Sequence, residues 1–240
     1  MVSVADSGRE STAPRPLRRT GPAPDIISTF ITTLFLPLSL MAMRTIFPIP
    51  LVEADLPGHA LLNRELSALL RRRRDKGRDY APYSTVNGGW QSAPDLLADP
   101  DPAVVTLREH IGAEVAEMVA ALRASCGEIP DEPVIACSGW GVILGPGGGQ
   151  SGHVHRRADF VAVYYVEVGD EAGGGELVFS YPRSGGTSVY SIWERFRLAI
   201  APRPGRLLLF PAFLPHHVER YHGPGDRISI NVDITVRPGR

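Results

Sequence analysis

Residues 227–236 read Arg-Ile-Ser-Ile-Asn-Val-Asp-Ile-Thr-Val. Ile228, Ile230, Val232, Ile234 and Val236 fall on one side of an extended chain, and Arg227, Ser229, Asn231, Asp233 and Thr235 fall on the other. A period of two held this long predicts a β-strand that buries its apolar face. It also predicts an arginine turned the same way as a serine and an asparagine. Upstream lie further short runs of β-branched and aromatic residues, at 206–210, 188–193, 176–180 and 160–168, separated by Pro- and Gly-containing turns such as Gly173-Gly-Gly.

Before Val134 the period is that of a helix. Leu62, Leu66, Leu69 and Leu70 share one face of a helix expected over 59–75. Its last turn carries Arg71 to Arg74, where cations complement the helix dipole; a solvated run is expected there, with a basic binding patch as the alternative. A second helix is expected to open at Asp101-Pro102, an N-cap followed by proline, with the stripe Leu107, Ile111, Val115, Met118, Val119 and Leu122. Two helices followed by seven or eight short antiparallel strands predict a mainly β fold. The expected form is a double-stranded β-helix, the jelly-roll or cupin-like barrel, with N-terminal helices flanking it.

Residues 44–240 are read as one domain, with a helical part at 44–130 and a jelly-roll part at 131–240. Residues 1–25, rich in Pro, Ser and Arg, read as disordered, and 26–43 form an apolar run interrupted by Pro37. The reading preferred is that 1–43 is an extension outside the fold, with translation starting at Met41 or Met43; a signal or anchor is the alternative. The formal net charge of −1 provides no global field to recruit nucleic acid or an anionic membrane. Cys126 and Cys137 are the only cysteines, too few for a disulfide framework, so free thiols and a cytoplasmic setting are expected.

Four of the seven histidines lie in two tight groups, His153 with His155 and His216 with His217. On a strand, His153-Val-His155 presents two imidazoles to the same side, and a third, His216, arrives about sixty residues later behind the apolar run 206–214. Two neighbouring ligands and one distant ligand on a barrel predict a metal site. Residues 145–152, Gly-Pro-Gly-Gly-Gly-Gln-Ser-Gly, are expected to be a flexible approach loop to it. A guanidinium turned into a barrel at Arg227 needs an anionic partner: a ligand carboxylate, or Asp226, Asp233 or another acid of the chain.

The order of these segments resembles the 2-oxoglutarate/Fe(II) oxygenases. It runs His153-Val-His155, Phe-Val-Ala-Val-Tyr-Tyr-Val (160–166), Gly-Gly-Glu-Leu-Val-Phe (174–179), Pro-Gly-Arg-Leu-Leu-Leu-Phe-Pro-Ala-Phe-Leu-Pro-His (204–216) and Arg-Ile-Ser-Ile-Asn (227–231). Within that superfamily it is similar to a bacterial oxygenase family related to prolyl 4-hydroxylases, and the likeness reaches upstream to Thr45-Ile-Phe-Pro-Ile-Pro and Asn87-Gly-Gly-Trp-Gln-Ser. The resemblance implies Fe(II), 2-oxoglutarate and O2, and a small-molecule or amino-acid-like substrate oxidised with release of succinate and CO2.

It implies His153, His155 and His216 as metal ligands and Arg227 as the anchor for 2-oxoglutarate. Ser229, Asn231 and one of Tyr164 and Tyr165, with Tyr165 preferred, would be further cosubstrate contacts. The wider superfamily has His-x-Asp/Glu where this chain has His153-Val-His155, so a site of three neutral imidazoles is expected, with Asp159 as the alternative source of a carboxylate. Arg156-Arg157 also replaces the Pro and small polar residue usual in the smaller family. Two rival readings are a cupin that uses no 2-oxoglutarate, with Asp159 completing a three-His, one-acid set, and a metal-free binding module. Neither the substrate nor the oligomeric state is legible in the sequence.

Overall fold

A computed structural model describes residues 48–77, 84–126, 133–169, 173–182 and 196–237. The expected strand at 188–193, the termini and the apolar run 26–43 lie outside these residues. The chain order is β1 (Val52–Asp55), α1 (His59–Asp75), β2 (Val86–Gln91), a 3-10 turn (Leu96–Ala98), α2 (Pro102–Cys126), β3 (Val134–His153), β4 (Phe160–Glu167), β5 (Leu177–Ser180), β6 (Arg197–Ile200), β7 (Arg206–Pro211), β8 (His216–Val218) and β9 (Arg227–Arg237). Both helices occupy their expected positions. The Asp101 side chain caps α2 by accepting from the Ala103 N–H at 3.0 Å. Among the described residues no helix is long and apolar enough to cross a membrane.

The nine strands form one curled antiparallel sheet in the order β1-β7-β4-β9-β3-β8-β5-β6, with β2 beside β3. This is the jelly-roll arrangement that the alternating runs predict. The turn between its two layers lies within β3. Val134 to Leu144 pair with Arg237 to Arg227 of β9, whereas Gln150 and His153 pair with Val218 and His216 of β8. The expected flexible loop at 145–152 is therefore part of a strand. Its glycines serve close approach, since a Cβ on Gly148 would lie 2.5 Å from the Gly88 carbonyl oxygen of β2.

Alternation divides the buried side chains into two sets. Ile228, Ile230, Val232 and Ile234 of β9, with Ala162 and Tyr164 of β4, pack against Leu66 and Leu70 of α1 and Leu107 and Ile111 of α2. Val142, Leu144, Val161, Val163, Tyr165, Phe179 and Phe210 fill the interior between the layers. Fully burying such side chains contributes about 1.5–3 kcal/mol each. The residues that share the interior face, Arg227, Ser229 and Asn231, are carried inward with them and are also buried.

The expectation of a solvated arginine run at the end of α1 is corrected. Arg71 donates to both Glu167 oxygens, at 2.9 and 2.8 Å, and pairs with Asp226 at 3.1 Å. Arg73 pairs with Asp95 and Asp99, and Arg74 with Asp226. The run fastens the helix to β4, to the turn before β9 and to the 3-10 segment. The part read as helical contributes two strands as well, because β1 and β2 are too short to show a period and β2 carries two glycines.

Candidate active site

His153 is the last residue of β3 and His216 the first of β8, and the two are paired in register. His155 lies just past the strand, held by its backbone N–H on the Ala212 carbonyl at 3.0 Å. The three ring centroids are 4.4, 5.0 and 5.2 Å apart, and one ring nitrogen from each falls within 4.8 Å of the others.

The tautomers are set by what each Nδ1 meets. His153 Nδ1 is 2.8 Å from the Ser151 carbonyl, His216 Nδ1 is 2.8 Å from the Leu214 carbonyl, and His155 Nδ1 is 2.5 Å from Asp233 Oδ1. Each partner only accepts, so each Nδ1 carries a proton and Nε2 is the nitrogen left to face the other rings. His155 Nε2 is buried without a partner. Burial and the neighbouring imidazoles push His216 down to about 3, and burial lowers His153 too, so both rings are neutral near pH 7. Three imidazoles with convergent ring nitrogens are a donor set for a divalent transition metal.

His217 turns the opposite way, as its neighbour on an extended segment must, and meets Glu219 at 3.1 Å. Asp159 is not brought to the histidines. Its Oδ2 accepts from the Val236 N–H at 2.7 Å and from Arg237 at 3.3 Å. The acid that does reach the cluster is Asp233, 78 residues from His155, and sequence reasoning weighed it only as a partner for Arg227. The one signal for it was its place on the inward face of β9.

Arg227 is fully buried and has no carboxylate partner among the described residues. Asp226 is engaged by Arg71 and Arg74, and Asp233 by His155. The guanidinium donates through Nε to the Gly175 carbonyl at 3.1 Å and through one terminal nitrogen to Ser229 Oγ at 3.4 Å; the other terminal nitrogen is buried and unpartnered. Burial lowers its pKa, opposed by nearby Tyr165, Tyr221 and Glu176. Gly175, at φ 76°, lets the chain close on the arginine: a Cβ there would stand 3.0 Å from Arg227 Cδ.

Tyr165 places its ring 5.1 Å from the guanidinium carbon, and its hydroxyl is buried without a partner. Tyr164 faces the helices and donates to Asn63 at 2.6 Å. Asn231 has a buried, unpartnered side-chain nitrogen. One narrow cavity is lined at once by His153, His155, His216, Arg227, Ser229 and Asn231. A buried cation with a donor to spare, beside an unpartnered hydroxyl and three convergent imidazoles, matches the charge of a metal-bound dicarboxylate, in a cavity that holds only about 10 Å3 with the side chains as they stand.

Residues 138–233 match the model of a family described as "Putative 2OG-Fe(II) oxygenase". Among solved structures the chain is similar to a prolyl-4-hydroxylase from Pseudomonas putida, with 20% identity over 79% of this chain and 93% of that one, at a TM-score of 0.52. It is similar also to HygX from Streptomyces hygroscopicus, solved with nickel, 2-oxoglutarate and hygromycin B bound, with 14% identity over 78% and 83% of the two chains and a TM-score of 0.51. A third is a prolyl hydroxylase in complex with a hypoxia inducible factor peptide fragment from Trichoplax adhaerens, with 14% identity over 77% and 83% and a TM-score of 0.50. These likenesses concern the fold. No curated protein matches the sequence.

Proposed function

We propose that this chain, residues 138–233 of which match a 2OG-Fe(II) oxygenase family model, works with Fe(II), 2-oxoglutarate and O2 and hydroxylates a small molecule with release of succinate and CO2. His153, His155 and His216 would hold the metal through Nε2. Bound iron with 2-oxoglutarate supplies the O2 activation that couples oxidative decarboxylation of the cosubstrate to oxidation of the substrate.

The remaining work falls to the protein. Arg227 takes the distal carboxylate of 2-oxoglutarate with its unpartnered terminal nitrogen, and the Tyr165 hydroxyl donates to the same group. Ser229 steadies the guanidinium, and Asn231 lines the space between arginine and metal. Val161, Val163, Leu177 and Val218 line the same cavity with apolar surface, which keeps bulk water from the cosubstrate. Asp233 fixes the orientation of His155 and brings a carboxylate next to a site whose protein ligands are all imidazoles.

The observation that carries this reading is Arg227: a fully buried guanidinium with a donor to spare, no acid partner among the described residues, and a shared cavity with three convergent imidazoles. An uncompensated charge there is costly, and a bound carboxylate removes the cost. The test is anaerobic titration with Fe(II) and then 2-oxoglutarate, following the visible charge-transfer band of the chelate. The wild type is expected to develop the band. Arg227→Lys cannot hold the Gly175 and Ser229 contacts and donate to the carboxylate at once, and is expected to need far more 2-oxoglutarate, by about thirtyfold to several thousandfold for a loss of about 2–5 kcal/mol. Absence of the band in the wild type, or an Arg227→Lys titration that matches it, defeats the proposal.

A further inference from the structure

A cavity of about 400 Å3 opens over the metal-facing histidines, and Arg157 and Asp233 both line it. Its size lies in the range of small-molecule sites, about 300–1,000 Å3. Trp140 forms an aromatic wall whose ring lies 5.9 Å from the His155 ring and within 16° of parallel to it. Gln91 and Gln150 add polar lining.

The two charges in this cavity do not neutralise each other. Arg157 is exposed and makes no ion pair or hydrogen bond among the described residues, whereas Arg71, Arg73 and Arg237 each engage an aspartate or glutamate. Asp233 spends Oδ1 on His155; its Oδ2 has no partner among the described residues, and the side chain is 30% exposed. A guanidinium and a carboxylate thus face one small cavity without touching. Molecules that complete such an arrangement carry the opposite two charges themselves.

We propose that the substrate is a zwitterion of the free α-amino acid class, its carboxylate taken by Arg157 and its ammonium by Asp233 Oδ2, with the side chain lying along Trp140. This rests on the oxygenase reading of the same site. A residue inside a peptide carries neither charge and would leave both groups unpaired. The pair therefore selects a free amino acid over a chain segment.

The test has an activity arm and a binding arm. Succinate formation by the full-length enzyme with Fe(II), 2-oxoglutarate and O2 is measured alone, with each common L-amino acid, and with the N-acetyl and the amide form of each. At least one free amino acid is expected to raise succinate about tenfold or more above the rate without substrate, and capping either charge is expected to weaken that response by about tenfold to a hundredfold. Calorimetry on the Ni(II)- and 2-oxoglutarate-loaded protein, which does not turn over, reads binding of the same amino acid. Arg157→Ala is expected to weaken it by a similar factor. The proposal is overturned if no free amino acid stimulates or binds, if capped forms serve equally well, or if Arg157→Ala binds like the wild type. Failure of the underlying oxygenase reading looks different: no visible band on titration with Fe(II) and 2-oxoglutarate, and no succinate under any condition.

Discussion

Asp233 binds an imidazole through one oxygen and faces solvent-accessible space with the other, so its replacement separates charge from shape. Asp233→Asn keeps an acceptor for the His155 Nδ1–H but removes the anion. Metal affinity, read by competition with a chelator, is expected to fall about 10–100-fold, the size typical of losing a partner behind a ligand. An unchanged affinity would leave Asp233 with no part in tuning the metal. At this scale the sequence was informative where chemistry is local. The alternation that turns Arg227 inward with Ser229 and Asn231 follows from strand geometry alone, whereas His155 joins His153 from just past the end of β3. The Asp233–His155 contact was not legible, because it joins residues 78 apart and depends on how β9 stands beside the end of β3. Asp159 was a plausible carboxylate on proximity to His155, but its own N–H bonds to Ile234 and its carboxylate to the Val236 N–H, which turns it toward the end of β9.

The last turn of α1 joins three other parts of the fold through paired charges. The Arg71 side chain beside Glu167 holds that carboxyl below its ordinary value of 4.5, against the opposing effect of partial burial. A carboxyl whose folded pKa is depressed adds stability that is complete above the unfolded value and disappears as pH falls through the folded one. Thermal melting of the wild type and Arg71→Met is therefore expected to differ at pH 7, by about 1 kcal/mol or less for a pair this exposed, and to converge as the buffer is taken below about pH 4. A gap that persists in acid would mean that Arg71 acts through packing of its alkyl stem. Both helices were readable from apolar spacing and from the Asp101-Pro102 start. The destination of the arginines was not, since charge composition alone does not distinguish a solvated run from one that meets acids brought from β4 and the loop before β9. Likewise β8 holds only three residues, His216–Val218, and no periodicity can announce a strand that short.

For the molecule as a whole, the barrel class was legible because strict alternation on one long strand and a run of short ones leave few architectures. The layer assignment was not, because the glycines at 145–152 look like a loop until the neighbouring backbones that crowd them are in place. The twenty-residue β3 belongs to both layers of the barrel, paired along one length with β9 and along the other with β8. Two layers that share a continuous strand cannot open like a clam, because parting them requires breaking that strand's own ladder. In deuterium labelling, amide protons across the Val142–Leu144 stretch of β3 and the facing part of β9 should be released only by global unfolding, while those of the short, exposed strand β6 leave far earlier through local fraying. A protection map in which β3 splits into an early and a late half, dividing at the glycines, would contradict this. If the map holds, whatever reaches the buried arginine enters by movement of the chain around the rim, with the strand at the centre remaining still.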